Sequence, residues 1–170
     1  MQAFIALLRA VNVGGTGKLP MAELKIMCEA AGFNSVQTYI ASGNVVFQSA
    51  KSESQVKAVL DVGLSAYFGK PAGVLVRTAA EMAAVLAGNP FVKMPGNLTH
   101  AIFLDKPPAA DALDSCSGKA NEQIQLGLRE IYAYSPDGAG QSKLKIPAAK
   151  TGTARNMNTV AKLAEMAAAL

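Results

Sequence analysis

The sequence predicts an α+β chain made of two βαββαβ halves with antiparallel sheets, a pseudo-duplication, and an extra C-terminal helix. Three observations lead there. Apolar runs of strand length and amphipathic stretches of helix length follow one another as β, α, β, β, α, β, and the order recurs after residue 97. Glycine, proline and serine punctuate the junctions. Of 170 residues, 51% are apolar and 16% charged, which suits a closed core and excludes a disordered chain. The division expected is a first half over 1–78, a connecting helix and linker over 79–97, and a second half with the closing helix over 98–170.

The elements justify themselves in turn. "QAFIALLR" (2–9) is a buried strand. It is too short to span a membrane and is interrupted by Arg9, and no basic start or small-residue cleavage site makes it a leader. "PMAELKIMCEAAGF" is a helix with Pro20 in its first turn, a stripe of Met21, Leu24, Met27, Cys28 and Ala31, and a stop at Gly32. "SVQTYIA" and "NVVFQS" pair as a hairpin around Ser42-Gly43-Asn44. A second helix over "SESQVKAVLDVGLSAYF", capped by Ser52 or Ser54, leads to the strand "GVLVRT". After the helix "TAAEMAAVLAGN" come the strand "LTHAIFLD", a short helix "PAADALDSC", and a hairpin of "EQIQLGL" with "REIYAYS" through Gly127. The chain closes with a helical turn in "SKLKIPAAK", an extended "TGTARN" and the helix "NTVAKLAEMAAAL". A split βαββαβ unit is the ferredoxin-like arrangement, which sets the first strand–helix loop beside the central hairpin turn. "NVGGTGK" (12–18) and Ser42-Gly43-Asn44 are therefore expected to be neighbours.

Charge is unevenly spread. The net +4 lies entirely in residues 141–170, where Lys143, Lys145, Lys150, Arg155 and Lys162 face Glu165 alone. Such a segment can attract phosphates or nucleic acid, or simply be a solvated face. Cys28 and Cys116 lie far apart with no CxxC partner, as expected of free thiols in a reducing cytoplasm.

"NVGGTGK" is not a nucleotide-hydrolysing phosphate loop. Asn12 stands where the first glycine belongs, Leu19 where a magnesium-holding hydroxyl belongs, and Pro20 removes an N–H. The dinucleotide pattern fails as well, with Pro20 in place of its last glycine. What remains is a turn with exposed amides, Asn12 and Lys18 before a helix start, which can take an anion or merely connect. Arg9 ends an apolar strand near that loop and calls for a carboxylate, carbonyl or ligand oxygen. With Ser42 and Asn44 these residues form one candidate polar edge. Lys143, Arg155, Asn156 and Asn158 form the other: an asparagine caps the last helix, Arg155 adjoins its positive end, and Lys143 is placed to approach it.

No catalytic constellation is recognisable. His100, the one histidine, lies in a strand without a nucleophile motif; Asp111 and Asp114 read as helix-solvating residues; no His/Cys set has metal-ligand spacing. Tyr132 and Tyr134 alternate on a strand, more as sheet residues than as a stacking platform.

"IALLRAVNVGGTGKLPMAEL", "TYIASGNVVFQS", "REIYAYSPDGAGQSKL" and "RNMNTVAKL", in this order, resemble the small bacterial proteins grouped as domain of unknown function 1697. The chain departs from that pattern at Ala10, where the family usually has glycine, and at Met157, where it has tryptophan. The resemblance implies a two-lobed α/β fold of ferredoxin-like halves and no activity. The function expected is cytoplasmic, cofactor-free binding of a phosphate-bearing ligand, nucleic acid or nucleotide, without metal or membrane and with the oligomeric state open. The alternatives are an enzyme acting on a small anionic metabolite and a protein-interaction module.

Overall fold

The structure, a computed structural model, describes residues 1–15 and 17–170; Thr16, inside the glycine-rich turn, lies outside the described residues. The chain is mixed α+β and divides into two compact units, Met1–Met82 with Leu163–Leu170, and Ala83–Lys162.

The first unit carries the βαββαβ order in full: β1 (Gln2–Leu8), α1 (Met21–Ala30), β2 (Asn34–Thr38), β3 (Asn44–Ser49), α2 (Glu53–Phe68) and β4 (Val74–Thr78). Its antiparallel sheet has the order β2-β3-β1-β4, with Phe4 opposite Phe47 and Ile5 opposite Arg77. Alternation along β1 sends Phe4, Ala6 and Leu8 into the core cluster, where they join Leu24 and Cys28 of α1 and Val56, Leu60 and Leu64 of α2. Phe33 stacks on Phe47 at 4.3 Å between ring centroids. Ile5, Leu7 and Arg77, on the other phase, are buried too, so β1 reads as one continuous apolar run rather than an alternating one. In β2 the ladder shifts register between Asn34 and Gln37, with Ser35 at φ 53°.

Helix ends follow the local chemistry. Ser52 caps α2 in a reciprocal box with Gln55, and Gly69 ends it at φ 70°. The same reciprocal exchange between Thr78 and Glu81 starts α3 (Ala79–Ala87).

The second unit repeats the strand pattern with β5 (Thr99–Phe103), β6 (Gln123–Leu126), β7 (Glu130–Tyr134) and β8 (Thr153–Asn156) in the order β6-β7-β5-β8. Its connections are leaner. The short helix expected over 108–116 is a series of turns, because it has no apolar stripe to bury and Leu113, its one large apolar residue, is only half-buried. Between β7 and β8 lie single 3-10 turns at Ala139–Gln141 and Pro147–Ala149. The closing helix is α4 (Met157–Ala168), with Val160, Leu163 and Ala167 buried. No helix among the described residues is long and apolar enough to cross a membrane.

Candidate functional site

The chain leaves β1 through a left-handed path. Ala10 and Asn12 have φ of 52° and 55°, and Gly14, Gly15 and Gly17 are also positive. Gly17 has no substitute, since a Cβ there would drive into the carbonyl oxygen of Ala10. Asn12 braces the turn: its Nδ2 donates to the carbonyls of Leu19 (2.9 Å) and Ala41 (2.7 Å), and its Oδ1 accepts from the Leu19 N–H (2.9 Å). The loop and the hairpin turn are thus neighbours, as the topology requires. Gly43 lies against Leu8, whose N–H donates to the Gly43 carbonyl at 2.9 Å. Asn44 is fully buried and donates to the Tyr39 carbonyl and to Ser42 Oγ, both at 2.9 Å. Asn12, Ser42 and Asn44 therefore hold the loop end in shape, while Arg9 and Lys18 carry its charge.

Two clefts use this loop as a wall. One, of about 440 Å³, is lined by Asn12, Gly15, Lys18 and Ala41 together with Pro20 and Met21 at the start of α1. That helix start has no side-chain cap, so its dipole end faces an opening bordered by a lysine. The other, of about 310 Å³, is lined by Arg9, Val11 and Gly17 and by Phe68, Lys70 and Gly73 from the α2–β4 connection. Gly73 is where the arginine passes: a Cβ there would lie 2.6 Å from Arg9 Cδ and 3.1 Å from Cγ. Tyr67 packs edge-on against Phe68 at 5.1 Å. Reading the sequence alone missed Phe68, Lys70 and Gly73. The signal was present in "YFGK", where aromatics and a lysine flank a helix-ending glycine.

The second set of expected residues is not brought together. Arg155 pairs with Ala101 in the ladder and projects on the phase opposite Ala154. Only 7% exposed, it donates to Thr153 Oγ1 (2.7 Å) and the Ala154 carbonyl (2.9 Å), and burial pulls its pKa down to about 10. Asn156 caps α4 by accepting from the Thr159 N–H at 2.9 Å. Asn158 is exposed beside Gly96, where a Cβ would strike its Oδ1. Lys143 lines a different cleft, of about 250 Å³, with Glu122 and Asp137. Tyr132 is buried, so it offers no stacking face; it donates to the Val85 carbonyl (2.6 Å) and to Glu130 (3.2 Å), and burial pushes its phenol pKa well up.

His100 borders a small hollow of about 160 Å³, and burial lowers its pKa. Among the described residues no group of three or more His, Cys, Asp or Glu could hold a metal ion, and no buried side-chain nitrogen or oxygen lacks a hydrogen bond.

Comparison with protein families matches residues 1–132 to the model of a protein of unknown function, DUF1697. Comparison with curated proteins finds no match. Among solved structures, the conserved bacterial protein SP0830 from Streptococcus pneumoniae superposes with a TM-score of 0.80, over 97% of this chain and 98% of that one, at 24% identity. At that identity the likeness speaks for the fold alone.

Proposed function

The chain belongs to the DUF1697 family of proteins of unknown function, and we propose that it binds a phosphate-bearing ligand, a nucleotide or a nucleic-acid strand, at the loop end of its first unit. The observation that carries this reading is the shared lining of one cleft by Arg9, Lys70 and the ring of Phe68. Two cations beside an aromatic face suit a phosphate joined to a base, the guanidinium taking oxygens in pairs and the ring taking the π-face. Lys18 and the uncapped start of α1, on the other side of the loop, offer a second phosphate position. The same reading sets the protein in the cytoplasm, where its two free cysteines stay reduced.

Calorimetric titration with mononucleotides and short single-stranded oligonucleotides, over a series of salt concentrations, tests it. Affinity is expected to fall steeply with salt, and Arg9→Ala and Lys70→Ala are each expected to weaken binding by about tenfold or more. Gly73→Ala, which displaces the arginine stem without removing a charge, should weaken it too. Absence of binding at low salt, or affinities unchanged in Arg9→Ala and Lys70→Ala, overturns the reading.

A further inference from the structure

The second unit holds two adjoining hollows that share a wall. Ser135 and Ser142 line both the polar cleft of about 250 Å³ and the smaller hollow of about 160 Å³. The polar cleft carries Glu122 and Asp137 on one hand and Lys143 on the other. Glu122 is 5% exposed and held from behind: the Ala120 N–H reaches its carboxylate at 3.0 Å, and Ser142 Oγ donates at 3.2 Å. These bonds, the backbone one foremost, hold its pKa below the usual carboxylate value, so it is ionised at neutrality. Asp137 accepts from Asn121 Nδ2 at 2.7 Å. Neither the Lys25–Glu29 nor the Lys57–Asp61 ion pair involves any of the three. Lys119 also draws the Glu122 pKa down by its charge, and the exposed Asp137 and Lys143 line the same cleft with opposite charges. The smaller hollow is walled by Ile102, Ala133, Leu144 and Ile146, with His100 at its edge.

The geometry points to a binding site in the second unit for a free zwitterionic amino acid with an aliphatic side chain. Its ammonium sits toward Glu122 and Asp137, its carboxylate toward Lys143, and its side chain in the Ile102–Ile146 hollow. A phosphate fits the cleft poorly, because the lysine that would attract it shares the space with two carboxylates. A metal ion is opposed by that same lysine. The ligand's two charges meet two fixed partners, which selects against molecules that carry only one. The segment enclosing the cleft is built for it. Ser117 and Lys145 exchange backbone hydrogen bonds at 3.0 and 2.8 Å, and Gly118 passes so close to the Lys143 carbonyl that a Cβ would collide with it.

His100 is the chain's one histidine, so its Cε1–H resonance is a single-site reporter on the hollow. Titration of the whole protein with L-leucine is expected to move that resonance saturably. Leucinol, which lacks the carboxylate, and 4-methylpentanoate, which lacks the ammonium, should each bind about tenfold more weakly. Lys143→Gln should weaken leucine about tenfold and leave leucinol unchanged, and Asp137→Asn should weaken leucine and spare 4-methylpentanoate. Both residues are exposed, so neither variant threatens the fold. A His100 resonance that stays fixed through millimolar leucine, equal affinity for all three compounds, or a Lys143→Gln protein that binds leucine as before overturns the proposal.

Discussion

Ala10 and Ile40 occupy left-handed backbone, at φ 52° each, on the two segments that meet at the loop end of the first unit. A Cβ in that region sits too near the carbonyl oxygen, and branching at Cβ makes Ile40 the harder case. Ala10 is exposed and Ile40 is 50% exposed, so little packing offsets the strain. Ala10→Gly and Ile40→Gly are each expected to stabilise the protein by about 1 kcal/mol, net of glycine's greater freedom in the unfolded chain, as read by urea denaturation. An unchanged or lowered midpoint would show that the strain is absorbed elsewhere. The sequence could not disclose these strained positions, because it does not reveal φ. Arg9 and Lys18 could be picked out from the sequence as charges beside a turn. The bracing role of Asn12 could not, since it depends on the Ala41 carbonyl, far along the chain.

At the scale of elements, caps and turns were the most legible features, because each depends on a few adjacent residues. Ser52 with Gln55 three residues on is such a case. Ser52→Ala is expected to cost about 1 kcal/mol, with thermal unfolding as the measure, since it frees an N–H at the start of α2. A loss below a few tenths would mean that Ser54, whose hydroxyl lies 3.2 Å away, takes over the cap. Legibility failed where an element depends on what packs against it. The stretch 108–116 has a helical composition but lacks an apolar stripe to bury, so it stays in turns. The cleft at Arg9 escaped for a related reason. Gly73 and Lys70 reach it only because β4 pairs with β1, and pairing across some seventy residues leaves no local trace. Strand phase explains the dispersal of the other expected cluster. Arg155 points away from the face that Ala154 shares with the Lys143 segment.

For the whole molecule, the ionisable groups that burial and hydrogen bonding have shifted set how stability responds to acid. Burial lowers the pKa of His100 below its ordinary 6.5, so the unfolded chain binds that proton first and stability declines as pH falls through 6.5. Glu122 is held below its ordinary 4.5, so its contribution is present above that value and is lost only at lower pH. Urea midpoints followed downward from neutrality should therefore fall in two stages, and His100→Gln should remove the first while sparing the second. A single stage, unchanged in the variant, would contradict this. The repeat of strand order in both units was legible because it rests on hydrophobic pattern, which the chain writes twice even where helices give way to turns in the second unit. The kink in β2 has a consequence of another kind. This strand forms one border of its sheet, and a straight border offers a row of amides and carbonyls on which other molecules can add their own strands. With Ser35 at φ 53° and the ladder broken between Asn34 and Gln37, an incoming strand finds no continuous register to copy. The irregularity thus blunts this border as a template for strand addition.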